Sequence, residues 1–115
     1  MNATVEKPKS QIKKLRDDIC VTRKTFCRLL PVSERLLADL EADKRTPSES
    51  VKREFNELKR LVAALKGIMD ADFLAEWLTT PNKAFSELKP IEVIERGEVD
   101  RIWRMVYYVE SGQPA

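Results

Sequence analysis

The feature that most narrows what this chain can become is a proline between two short leucine-rich stretches: Phe26-Cys27-Arg28-Leu29-Leu30, then Pro31-Val32-Ser33, then Leu36-Leu37-Ala38-Asp39-Leu40. Proline pushes the residue before it to extended backbone and cannot donate to the preceding turn, so a helix that reaches Leu30 must stop there. Ser33 is a strong N-cap residue, so a new helix starts almost at once. Two helices this short, joined this tightly, bury their apolar faces by crossing steeply, which calls for a small residue at the crossing and apolar anchors at fixed offsets. Cys27 is that small residue, and Phe26, Leu30, Val32, Leu37 and Leu40 are the anchors. Thr22 to Ala42 is therefore predicted to form a helix-turn-helix. Such turns usually carry a glycine in left-handed backbone; Pro31, with φ fixed near about −65°, predicts a turn built differently.

The flanks follow the helical period. Ser10 caps a first helix to about Ile19, with Ile12, Leu15 and Ile19 on one face. Thr22 caps the second helix, and the third, Glu34 to about Ala42, turns Leu36, Leu37 and Leu40 inward before a polar connection from Asp43 to Pro47. Ser48 or Ser50 caps a long fourth helix whose Val51, Phe55, Leu58, Val62 and Leu65 recur until Gly67. Asp70 caps a fifth with Phe73, Leu74, Trp77 and Leu78, ended by Thr79-Thr80-Pro81-Asn82. After a turn around Ala84 and Phe85, Pro90 opens a short helix over Ile91 to Arg96, closed by Gly97. A last helix, roughly Glu98 to Glu110, gathers Val99, Ile102, Trp103, Val106 and Tyr107 on one face; Tyr108 falls off that stripe and is expected to face a partner or a second copy.

Composition agrees with an all-α chain: only 3 glycines occur in 115 residues, straight-chain helix formers dominate, and no stretch alternates as a strand would. No apolar run spans a bilayer and the polar start lacks a signal-peptide core, so a cytoplasmic location is expected. With no histidine in the chain, Cys20 and Cys27 cannot complete a metal site and are read as reduced core residues. There is neither a glycine-rich phosphate loop nor a nucleophile with a partnered base, so neither an enzyme nor a cofactor is expected. Net charge divides unevenly: residues 1-66 hold 16 Lys/Arg and 10 Asp/Glu, net +6, whereas residues 67-115 hold 5 and 9, net −4. That asymmetry is what a basic region meeting double-stranded DNA and an acidic region with another partner would show, although on charge alone a solvated charge bias is the preferred reading.

In helix-turn-helix docking the start of the second helix meets base edges, which puts Ser33, Glu34 and Arg35, then Ala38 and Asp39, toward the groove. Arg35 is the best base reader, able to take a guanine edge bidentately. Thr22 with Arg23, Lys24 and Arg28 is expected to hold one phosphate run, and Lys44 and Arg45 the flanking backbone. Glu34, Asp39, Glu41 and Asp43 oppose tight binding, since carboxylates near phosphates repel unless paired.

The run from Thr22 to Ser33, followed by Leu36-Leu37, Leu40-Glu41 and Lys44-Arg45-Thr46-Pro47, resembles the Xre (phage repressor-like) helix-turn-helix class. Downstream, Trp77-Leu78, Pro81-Asn82-Lys83-Ala84-Phe85, Pro90-Ile91-Glu92-Val93-Ile94, Gly97 and the closing Glu110-Ser111-Gly112 are similar to the toxin-binding domain of the Xre/MbcA/ParS antitoxins. One departure is Glu87, where that pattern usually has glycine. The resemblance implies a phage repressor-like bundle over 1-66 and a small helical toxin-binding module over 67-115. It implies a homodimeric antitoxin that neutralises a RES-type toxin and represses its own operon. It also implies a toxin-facing surface on the last helix and tail: Arg101, Arg104, Tyr108, Glu110, Gly112 and Ala115. Two other readings stay open: a stand-alone dimeric repressor with no toxin, and an interaction adaptor that has lost DNA binding, the latter suggested by Glu34 and Asp39.

Overall fold

A computed structural model describes residues 10–112. These form seven α-helices: α1 Gln11–Asp18, α2 Arg23–Leu29, α3 Glu34–Glu41, α4 Glu49–Lys66, α5 Ala71–Leu78, α6 Pro90–Glu95 and α7 Val99–Ser111, with a 3-10 turn at Lys83–Phe85 between α5 and α6. The chain is all-α, as composition requires. None of the described helices is long and apolar enough to cross a membrane.

The chain divides into two compact units between Leu58 and Lys59, inside α4, whereas the charge count places the division after Lys66. The apolar stripe of α4 serves both units, so compactness does not follow the end of the helix. Recounted on the compact units, the first carries 13 Lys/Arg against 10 Asp/Glu, net +3, and the second 8 against 9, net −1. The contrast in charge is thus smaller than the first count suggests, because Lys59, Arg60 and Lys66 go with the second unit.

In the first unit α3 packs on both α1 and α2. Ile12, Leu15, Ile19, Phe26, Leu29, Leu30, Leu37, Leu40, Phe55 and Leu58 are buried; Leu36 is only half-buried. The hydroxyls of Ser10, Thr22 and Ser33 accept hydrogen bonds from the backbone N–H of Ile12, Thr25 and Leu36, and Ser48 rather than Ser50 caps α4 by accepting from Val51. Between α2 and α3, Leu30 is extended (φ −117°, ψ 103°), as proline demands of its neighbour. The Val32 N–H donates to the Leu30 carbonyl at 2.7 Å, closing a three-residue turn centred on Pro31. A turn of that kind accepts the φ of proline, which is how the chain dispenses with glycine here.

α1 and α3 both end in the same hydrogen-bonded stop. Beyond α1, Cys20 N–H donates to Asp17 and Val21 N–H to Arg16; beyond α3, Asp43 donates to Leu40 and Lys44 to Asp39. In each, a left-handed residue follows the cap, Cys20 at φ 57° and Asp43 at φ 60°. That position turns its side chain outward, so Cys20 is exposed and not a core residue, while Cys27 is half-buried.

In the second unit α6 packs on α5 and α7, and the core is Leu61, Val62, Leu65, Leu74, Trp77, Leu78, Phe85, Ile91, Val93, Ile102 and Val106. Phe85 meets Trp77 edge to face, with centroids 6.2 Å apart. Asp70 precedes α5, yet its side chain makes no capping bond. α6 starts with Pro90, and Glu92 reaches back to accept from the Lys89 N–H at 2.8 Å. Gly97, at φ 77°, ends α6: its N–H donates to Ile94 and that of Glu98 to Val93. Two aromatic expectations change. Phe73 is exposed rather than inward, and Tyr107, at 64% exposure, is the open tyrosine, while Tyr108 is half-buried. The buried line of α7 runs along Ile102 and Val106, one position short of Tyr107, which the helical turn carries outward.

Candidate DNA- and partner-binding surfaces

The outward face of α3 presents Ser33, Glu34 and Arg35 exposed and Ala38 and Asp39 half-buried, with Leu37, Leu40 and Glu41 turned in. The five expected groove residues thus share the open side of one short helix. Thr22, Lys24 and Arg28 are exposed around α2. Thr22 is spent locally: its hydroxyl accepts from Thr25 N–H at 3.1 Å and bonds the Thr25 hydroxyl at 3.2 Å. Lys44 and Arg45 follow α3 in exposed backbone, and Arg45 also edges a groove of about 350 Å³ floored by Ile12, Leu40, Pro47, Val51 and Phe55.

Glu41 corrects the expectation most. It is the last residue of α3 and one of the few buried polar groups, its side chain 2% exposed. Its Oε2 accepts from Arg16 Nε at 2.6 Å, and its Oε1 from Arg16 Nη2 and Arg23 Nε, each at 3.0 Å. Arg16 also donates through Nη1 to the Val21 carbonyl at 3.1 Å. Burial pushes the Glu41 carboxyl upward, but the hydrogen bonds and charges of the two arginines outweigh it, and the group titrates below the usual glutamate range. Its bond to Glu41 likewise raises Arg16 against the effect of burial. Glu41 is therefore a paired internal charge, not a carboxylate facing phosphates. One clue lay in the sequence: Glu41 sits four residues after Leu37 and next to Leu40, on the apolar stripe, where a charge needs a partner. Nearby, burial raises the Cys27 thiol, with Glu34 and Glu41 adding to the shift, so it stays neutral.

On the second unit, Arg101, Arg104 and Tyr108 line one groove of about 360 Å³ with Ala84, Phe85, Met105 and Val109. Arg101 is pinned, donating from Nη1 to Glu98 Oε1 at 2.9 Å with its guanidinium carbon 5.9 Å from the Phe85 ring centroid. Arg104 is exposed. Glu110 is not in that groove; its Oε2 lies 4.0 Å from where a Cβ on Gly67 would stand. Gly112 caps α7 in left-handed backbone at φ 73°. Ala115 lies outside the described residues.

The loop that walls the groove is held by Asn82, whose Oδ1 accepts from Ala84 N–H and whose carbonyl accepts from Phe85 and Glu87. Asn82 pairs with Leu88 in an isolated antiparallel bridge. Ser86 and Glu87 are both left-handed, at φ 58° and 70°. The usual glycine conformation is thus kept at Glu87 even though the residue is not glycine. Above the α7 face, Tyr107 and Tyr108 meet edge to face at 5.9 Å, and Arg60 lies 5.6 Å over the Trp103 ring. Among the described residues no group of three or more His, Cys, Asp or Glu side chains is placed to hold a metal ion.

No family model matches the chain, and no curated protein matches it. Among solved structures it is similar to a chain of the M. tuberculosis MbcT-MbcA toxin-antitoxin complex, with TM-score 0.75 and 21% identity, over 96% of this chain and 100% of that one. At that identity the likeness speaks for the fold, and it takes in the helix-turn-helix and the later helices together: this chain has the fold of a chain in a toxin–antitoxin complex.

Proposed function

We propose that this chain is an antitoxin of a two-component pair, which neutralises a RES-type toxin by direct binding and represses its own operon through the helix-turn-helix. The observation that carries the proposal is the whole-chain likeness in fold, which a lone helix-turn-helix would not produce. The functional division follows the sequence, 1-66 for the DNA operator and 67-115 for the cognate toxin, in a cytoplasmic homodimer with no enzymatic role. Ser33, Glu34, Arg35, Ala38 and Asp39 would face the groove of DNA, and Lys24, Arg28, Lys44 and Arg45 its backbone. Arg104, Tyr108 and the open Tyr107 supply a toxin-facing surface; large aromatics with an arginine are the side chains that anchor protein interfaces.

Co-expression with the product of the neighbouring reading frame tests the antitoxin role: a stable complex and rescue of growth are expected, and failure of both removes it. A mobility shift on the upstream region tests repression separately. Binding with a steep salt slope, lost on Arg35→Ala, is expected; no binding in low salt removes the DNA role while leaving toxin neutralisation standing.

A further inference from the structure

We infer that Glu41 is a positioning residue for DNA binding: by holding Arg23 at Nε it fixes the rest of that guanidinium outward as a phosphate clamp. The inference rests on the DNA-binding reading above. Glu41 does not need Arg23 for charge balance. Arg16, 15% exposed, meets both carboxylate oxygens and spends its remaining donor group on the Val21 carbonyl, so that pair is already neutral and its geometry complete. Arg23 adds a second positive charge to a balanced pair. Its side chain is 47% exposed and is engaged only through Nε, and its two terminal nitrogens have no partner among the described residues. The cluster of one carboxylate and two arginines therefore carries one surplus positive charge, displayed at the first residue of α2.

Those terminal nitrogens form the planar fork that takes a phosphate bidentately. An unrestrained arginine loses much side-chain freedom when it grips a phosphate, whereas one already anchored at Nε loses less. The first helix of a helix-turn-helix crosses the DNA backbone, which is where this charge would be used.

The test is binding of the full chain to a short mixed-sequence DNA duplex across a salt series, with folding followed separately by circular dichroism. Arg23→Gln is expected to weaken binding roughly tenfold and to lower the salt slope by about 1. Arg23→Lys keeps the charge but loses the fork that bonds carboxylate and phosphate together; it is expected to weaken binding several-fold at an unchanged slope. A Lys variant that binds like the original overturns the inference, because an unpositioned point charge then suffices. In a Glu41→Gln background the further loss from Arg23→Gln is expected to shrink sharply, whereas additive losses overturn the coupling. Should Glu41→Gln fail to fold, the Lys variant decides. Absence of salt-dependent binding by the unaltered chain removes the DNA-binding reading itself, and is distinct from binding with an indifferent Arg23.

Discussion

The two units are held together by different means. In the first, α1, α2, α3 and α4 each begin with a hydroxyl that accepts a backbone N–H, and a buried carboxylate ties α1, α2 and α3 through two arginines. In the second, α5, α6 and α7 begin without a capping bond from the N-cap side chain, and apolar packing around Phe85, Trp77 and Ile102 does most of the work. The large hydrophobic side chains left open among the described residues, Phe73, Tyr107 and Val109, all belong to the second unit. Directional bonds fix angles, which would suit the DNA-binding role proposed for this unit. Apolar surface left over suits a surface completed by another protein.

The sharpest way to break this comparison is Glu41→Ala. Removing one partner of a buried pair leaves Arg16 without its carboxylate, and a loss of about 3–5 kcal/mol in denaturant unfolding is expected. A loss under about 1 kcal/mol would show that polar wiring does not hold the first unit. Acid probes the same bond without mutation. Because the folded Glu41 titrates below its ordinary range, its contribution is complete at neutral pH and fades as pH falls below the unfolded carboxyl value toward the folded one. Arg16→Met with Glu41→Leu should flatten that part of the acid profile.

Tyr107→Ala sharpens the other side. At 64% exposure the ring adds little to folding, so stability should change by under about 0.5 kcal/mol. Affinity for a co-purified partner should fall by about 2 kcal/mol if this tyrosine is an interface anchor, measurable by calorimetry. An unchanged affinity would move the partner surface elsewhere. Glu87→Gly is smaller and of opposite sign: relieving a left-handed glutamate should stabilise the chain by about 1 kcal/mol in thermal unfolding.

Local chemistry was readable from sequence. Ser10, Thr22, Ser33, Pro31, Pro90 and Gly97 act through neighbours within a few residues, and all six do what their residue types predict. Where the sequence misled, the cause lay in another element for Glu41 and in the local backbone for Cys20. Glu41 reads as a charge beside a DNA-facing helix until Arg16, 25 positions earlier, is seen to meet it. Tyr107 and Tyr108 are ranked wrongly by an apolar stripe drawn too wide: the buried line is Ile102 and Val106, and it is Tyr108 that lines a groove with Ala84 and Phe85. Cys20 looks like core until the stop after α1 turns it out. The groove on α7 was not visible at all, since no pattern within one helix marks it.

The corner at Pro31 also bears on the unfolded chain. A glycine corner would wander through many backbone states before folding, and closing it would forfeit that freedom. The pyrrolidine ring forbids most of those states in advance and holds Leu30 extended as well. The bend between α2 and α3 is thus largely drawn before any tertiary contact forms, and Pro31→Gly should lose about 0.4–1 kcal/mol with every native contact still in place.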